Sequence, residues 1–277
     1  MLSMTSDFAA DRGCPEPSLR AIAEAGFTHV HWCHQWNTDF LYGEAELAQI
    51  EAWLKDLGLA LTDLHGTSGM EKKWTSSREY ERLAGVELVE NRIAMAARLG
   101  TDVVIMHIEP GEGDATFDDE TYWGQLFKSL DELRPFAADH GVRLAIELGQ
   151  LDPVDRVLTN YEPEFVGLCY DSGHGNRRTD GPGWAMKNAG RLLSIHLHDN
   201  DGSGDQHRIP LTGTVDWPRV IDAIAASPYD KWISMECAMV NEAYEDRAEF
   251  LAKAREAGET LTTMLEDARR KRDGKET

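Results

Sequence analysis

Positive charge is scarce in this sequence: 28 lysines and arginines stand against 49 aspartates and glutamates, a formal net charge of −21. A surface this acidic repels nucleic-acid phosphates, which are bound by neutralising them with Lys and Arg, and it repels anionic membranes. The four cysteines, Cys14, Cys33, Cys169 and Cys237, form no CxxC pair. The last three sit inside apolar, strand-like runs and read as buried free thiols. No apolar run reaches membrane-helix length, and the start, MLSMTSDFAADRG, lacks the basic and apolar segments of a leader. A soluble protein of a reducing compartment, the cytoplasm, is expected. No Pro/Gly/Ser-rich linker divides the chain, so residues 1–277 read as one domain. No GxGxxG follows the first strand, and the GEG at Gly111 is followed by Asp114 and lacks the third glycine, so no dinucleotide site is supported.

What is present is a repeat of strand-like run, turn and amphipathic helix. Short apolar runs fall at 2–5, 29–33, 59–64, 103–107, 143–148, 166–170, 192–197 and 232–237. Clear 3.6-residue periodicity falls at 44–57, 78–99, 121–140 and 217–226, and a long charged helix over 243–269 closes the chain. Glycines end several helices just before the next strand, in AEAGF, KDLGL, ARLGTD and ADHGVR. Eight strands alternating with helices predict an α/β fold, a (β/α)₈ TIM barrel, with a doubly wound open sheet as the competitor. The polar tail KRDGKET is expected to fray.

Six successive strands deliver a metal-type ligand at the same end: His65, His107, Glu147, Asp171 with His174, His196 and Glu236. In a closed parallel barrel all strand C-termini converge on one mouth. Ionisable groups in apolar runs cost free energy unless they are paired or bound to metal, so a shared metal site is expected. The loop after strand 7 adds a D-x-H pair, Asp205 and His207, while Asp201 and Ser203 read as a solvated turn. His31 and His34 are candidates for substrate contact at the end of strand 2, although His29 or His31 could simply face a helix. His198 is expected to point the same way as His196, and His140 is a helix-end residue favoured by the dipole. Trp32, Trp36, Trp74 and Trp123 are weighed as walls of the mouth against core packing. Lys72 and Lys73 are weighed as a lid against a solvated pair.

The motifs IELG, YDSGH, IHLHDN…GDQH…GTVDW and MEC resemble those of the xylose-isomerase-like barrel superfamily, most strongly over residues 144–239. That superfamily includes sugar isomerases and epimerases, inosose-processing enzymes, dehydroshikimate dehydratases and endonuclease IV nucleases. The resemblance implies one divalent ion held by Glu147, Asp171, His196 and Glu236, with Glu147 and Glu236 as acid and base. It implies that His174 binds a substrate hydroxyl and that Arg208 grips the sugar. The endonuclease IV branch would add His65, His107, His174, Asp205 and His207 as further ligands, so more than one ion is in question. Mixed imidazole and carboxylate donors suit Mn, Zn, Co or Fe, with Mg at the oxygen-rich core.

The expected function is a metal-dependent isomerase or epimerase on a sugar or keto-polyol, working by proton transfer through an enediolate. A lyase or dehydratase on a keto-sugar is the alternative. An apurinic-site nuclease is opposed by the charge, and a non-catalytic sugar binder by the intact ligand set. The expected partner is a small sugar, with neither nucleic acid nor membrane; homo-oligomers are common among relatives.

Overall fold

The computed structural model describes residues 1–9, 13–110, 115–241 and 244–274. The GEG run, the expected start of the last helix at residue 243 and the end of the polar tail lie outside the described residues. The strands are β1 (Leu2–Thr5), β2 (His29–Trp32), β3 (Ala60–His65), β4 (Val103–Met106), β5 (Arg143–Glu147), β6 (Val166–Asp171), β7 (Leu192–His196) and β8 (Ile233–Met235). The helices are α1 (Glu16–Glu24), α2 (Glu44–Leu57), α3 (Glu79–Leu99), α4 (Glu120–His140), α5 (Leu151–Asn160), α6 (Ser172–Asn176), α7 (Gly181–Lys187), α8 (Trp217–Ala225) and α9 (Arg247–Arg272). The glycines expected to end helices do so: Gly26, Gly58, Gly100 and Gly141 have φ between 65° and 86°, where a side chain would be strained.

Neighbouring strands pair in parallel in the order β7-β6-β5-β4-β3-β2-β1-β8. A parallel bridge between Leu197 and Met235 closes the ring. There the Leu197 amide donates to the Ser234 carbonyl (2.9 Å) and the Glu236 amide to the Leu197 carbonyl (3.0 Å). The chain is therefore a TIM barrel, and the open sheet is set aside.

Side chains alternate along each strand. Met4, Val30, Leu64, Leu144, Ile146, Leu168 and Ile195 join the main core with the helices. Their alternates turn inward. Low in the barrel a separate small cluster of Val103, Ile105, Ala145, Cys169 and Leu193 packs together. The inward positions nearest the strand C-termini carry the acids and imidazoles.

The opposite end of the barrel is held by charge. Asp102, just before β4, accepts from Lys231 Nζ (2.5 Å) and from Arg143 Nη2 (2.8 Å). Lys231 also donates to the Thr62 carbonyl of β3 (3.0 Å), so four stretches of chain meet there. Burial raises the pKa of Asp102, but Lys231 and Arg143 outweigh it and hold the carboxyl below its ordinary value. The stability this contributes is full above the unfolded aspartate pKa of about 4 and is lost as the pH falls through the lower folded value. The carboxylate side chain is 45% exposed, so screening limits the effect to about 0.5–1 kcal/mol. Asp102→Asn should lose that amount at pH 7. The gap to the parent should close as the pH falls below the aspartate range; thermal melts along a pH series check both.

Candidate metal centre

Period-two alternation puts Ser194, His196 and His198 on one face of the β7 segment, and Asp63 and His65 on one face of β3. The strand ends surround a cavity of about 270 Å³ whose wall includes Cys33, Trp36, His65, His107, Glu147, His174, Asp205, His207 and Glu236. No lysine or arginine lines it among the described residues. A wider groove of about 690 Å³ on the outer helices, lined by Ala21, Leu251 and Arg255 among others, has no histidine in its wall.

Glu147, Asp171, His196 and Glu236 each offer one ligand atom, all within 4.8 Å of one another, and all four residues are buried. His196 Nδ1 lies 3.4 Å from Glu147 Oε2 and 3.1 Å from Glu236 Oε2. These three atoms are buried with no hydrogen-bond partner. Orphaned buried polar atoms are rare and costly. Donors about 2.1 Å from a common ion stand about 3.0–3.4 Å apart. The separations of His196 Nδ1 from Glu147 and Glu236 match this, and with Asp171 within 4.8 Å of the other three the set suits a divalent cation.

His65, His107 and Glu147 form a second group. Their separations are 3.1 Å (Nε2 to Nε2), 3.5 Å (His65 to Glu147 Oε2) and 3.2 Å (His107 to Glu147 Oε2). A point equidistant from these atoms is about 1.9 Å from each, close to zinc–nitrogen lengths of about 2.0 Å. A third group converges on Asp205 Oδ2, which lies 3.2 Å from both His174 Nε2 and His207 Nε2. Backbone carbonyls fix three of these rings: Nδ1 of His65, His174 and His207 faces the carbonyls of Gly66, Leu148 and Glu236, each at 2.8 Å. Each Nδ1 must donate, so on a neutral ring the Nε2 lone pair faces the cavity, as metal-ligating histidines require.

The electrostatics demand positive charge. Burial favours the neutral form of every group, yet His107 and His196 outweigh it at Glu147 and hold that carboxyl well below its ordinary range. His196 does the same at Glu236. Burial would lower His174 and His207 too, but Asp171, Asp205 and Glu147 push His174 up to about 10, and Asp205 and Glu236 push His207 to the same value. Protons on imidazole answer part of the carboxylate charge; a divalent cation would answer it through the same atoms.

The loops after β6 and β7 interlock residue by residue. His198 Nε2 lies 3.0 Å from Asp171 Oδ2, and Asp171 Oδ1 accepts from the His174 amide (2.6 Å). Ser172 Oγ donates to the His198 carbonyl (2.6 Å) and accepts from its amide (2.9 Å). Asn200 donates to the Gly173 carbonyl (2.9 Å). His198 also stacks on His207, with ring centroids 4.0 Å apart. The rest of the β7 loop hangs on buried Asp199, which accepts from the amides of Asn200, Leu211 and Val215 and from Trp217 Nε1. That carboxylate explains the GTVDW run. His207 itself sits at φ 45°, a strained backbone for a non-glycine residue.

Below the mouth, His31 is buried with Nδ1 2.5 Å from Asp63 Oδ1, and Ser194 Oγ donates to the other Asp63 oxygen. Burial and His196 lower the pKa of His31, but Asp63 and Glu236 more than offset them and push it up to about 9.

The structure thus brings together the four expected ligands and all five further candidates. It does not bring His34 or Arg208 into the cavity wall. Both His34 ring nitrogens are engaged, with Tyr42 Oη (2.9 Å) and the Gly13 carbonyl (2.6 Å). Arg208 pairs its backbone with Asp199. His29 accepts from Trp232 Nε1 rather than facing a helix, and His140 bonds the Phe136 carbonyl at its helix end. Of the four tryptophans only Trp36 reaches the cavity; Trp32, Trp74 and Trp123 pack in the core. Lys72 and Lys73 line a separate groove with Tyr80 and Arg78. Trp36 lies against His107, with centroids 5.6 Å apart. Its loop turns at Gln35 (φ 64°), and buried Arg92 of α3 donates to the Gln35 carbonyl (3.5 Å) and the Phe40 carbonyl (3.0 Å). Missed by sequence reasoning were Asp63, Cys33 and the orienting role of His198. The signal for Asp63 was its place two residues before His65, on the same strand face.

A family model for the xylose isomerase-like TIM barrel matches residues 19–254, and the chain belongs to that family. An uncharacterised protein of Sinorhizobium fredii is 30% identical over 252 residues, 80% of each chain. Inosose dehydratase of Lactiplantibacillus plantarum is 27% identical over 150 residues, 43% of this chain and 50% of that one. The solved structure of an L-ribulose 3-epimerase superposes with TM-score 0.77 at 19% identity, covering 98% of this chain and 96% of that one; this likeness concerns the fold.

Gly173→Ala tests the interlock. A Cβ there would lie 2.0 Å from His198 Cε1. The variant should lose about 1–3 kcal/mol in denaturant melts. Unchanged stability would mean that His198 is free to move off Asp171.

Proposed function

We propose that the protein is a divalent-metal-dependent epimerase or isomerase of a small neutral sugar or keto-polyol, in which Glu147 and Glu236 move the proton. The observation that carries this reading is the pair of buried carboxylates whose Oε2 atoms both lie against His196 Nδ1, at 3.4 and 3.1 Å, without a hydrogen-bond partner. A divalent ion (Mn, Zn, Co or Mg) held by Glu147, Asp171, His196 and Glu236 supplies Lewis-acid stabilisation of negative charge on substrate oxygens. His65, His107, His174, Asp205 and His207 offer donors for further ions. The imidazoles keep both glutamates ionised, so Glu147 can accept a proton from the carbon beside a carbonyl, leaving an enediolate. Glu236, ionised at rest, takes up a solvent proton during turnover and passes it to the opposite face in an epimerisation or to the neighbouring carbon in an isomerisation, while Glu147 releases its proton to solvent. In this reading His174, in the cavity wall, holds a substrate hydroxyl. Among the described residues the cavity wall carries no lysine or arginine, which favours a neutral substrate and opposes both phosphorylated sugars and nucleic acid.

A dehydratase on a keto-sugar is the second reading, favoured by the inosose dehydratase relatives. It shares the first proton removal and differs in losing a neighbouring hydroxyl as water. NMR of products from a panel of keto-sugars separates the two.

Glu147→Gln should slow solvent deuterium incorporation into substrate by about 10²–10⁴-fold. Exchange at the parent rate removes Glu147 from the chemistry. Chelation of divalent ions should lower the melting temperature by about 5–10 °C, the effect of an ion near 100 times its Kd on a chain of this size. A melt that EDTA leaves unmoved counts against a bound ion.

A further inference from the structure

Beneath the cavity, the three atoms Cys33 Sγ, His31 Nε2 and Glu236 Oε1 face one another. Sγ lies 2.8 Å from Nε2 and 3.9 Å from Oε1, and Nε2 lies 3.6 Å from Oε1. A point equidistant from the three is about 2.0 Å from each, against zinc–nitrogen and zinc–oxygen lengths of about 2.0–2.2 Å and zinc–sulfur of about 2.3 Å. An ion slightly out of their plane meets all three lengths with little movement of the side chains.

Two further features prepare this point for a cation. His31 is oriented from behind by Asp63, itself held by Ser194, which is the carboxylate–histidine arrangement that sets the ring of a metal ligand. Glu236 faces two ways: Oε1 toward Cys33 and His31, and the orphaned, buried Oε2 toward His196. A carboxylate placed so is a natural bridge between two cations. Cys33 and Glu236 both line the cavity, so an ion has a path in.

We propose that Cys33, His31 and Glu236 form a separate site for a thiophilic divalent ion such as zinc or cadmium, with the fourth coordination position open to the cavity. The site shares Glu236 with the centre proposed above but needs none of Glu147, Asp171 or His196 as a ligand. On binding, the S–H bond breaks, the thiol proton and any proton on Nε2 pass to solvent, and a sulfur–metal bond forms without electron transfer. Exchange of protons for a dication leaves the buried charge balanced, and sulfur selects zinc or cadmium over magnesium.

The test uses the full chain, stripped of ions and titrated with cadmium chloride, then separately with cobalt chloride. Near-ultraviolet sulfur-to-metal absorption should saturate at one equivalent, and cadmium-113 NMR should show a thiolate-bound resonance. Cys33→Ser and Cys33→Ala should lose the band and one equivalent of bound ion, while Cys14→Ala keeps both. Asp63→Asn should retain the band at saturation with affinity about 10–100-fold weaker. Glu147→Gln should retain it unweakened, which supports this site apart from the neighbouring centre. Ions bound to the wild type without any sulfur band overturn this site and leave the function proposed above standing. A band that survives in Cys33→Ala overturns it equally.

Discussion

Carboxylates packed around imidazoles inside a protein must have their charge answered within a few ångströms, because the interior offers no water to do it. At the barrel mouth Glu147 and Glu236 meet that demand through His107 and His196, and Asp205 meets it through His174 and His207. Apart from the Asp205–His207 pair, none of these contacts is local in sequence. The contact of Glu236 with His196 exists because a bridge between Leu197 and Met235 turns a curved sheet into a ring and sets the end of β8 beside β7. The chemistry proposed for the centre depends on that same closure, which brings glutamates from β5 and from the end of β8 to one imidazole.

The two ends of the barrel handle charge differently. At the N-terminal ends of the strands, Asp102 meets full cations, Lys231 and Arg143, and is complete as it stands. At the C-terminal ends Glu147, Glu236 and Asp205 meet imidazoles, whose charge depends on protons or on other cations. The first arrangement holds strands together; the second leaves buried donor atoms without hydrogen-bond partners. This division matches the general behaviour of the fold, in which one face is given to stability and the other to chemistry.

Much of this was legible before any coordinates. Alternation of apolar runs with helical periodicity placed all eight strands, because a parallel barrel repeats one pattern. The ligands at six strand ends could be read because ionisable residues interrupt apolar runs at equivalent positions. The short helices α6 and α7 were not picked out, since five and seven residues carry too little periodicity. His34 was read from its place at the end of strand 2 and Arg208 from the family resemblance, and neither reading tells which way a side chain points. The His31–Asp63 pair joins residues 32 apart, and His198 gains its role only by docking on Asp171 across two loops. Contacts of that kind follow from packing, which no pattern along the chain encodes.

Arg92 has a wider consequence. It lies on an outer helix, wholly buried, with its guanidinium 4.5 Å from the Tyr42 ring, and it braces from behind the loop that carries Trp36. The entrance to the cavity is thereby shaped from outside the barrel wall. Drift on the helical shell can reshape which molecules enter while every interior donor stays fixed, so selectivity and reactivity are free to evolve on separate surfaces of one scaffold.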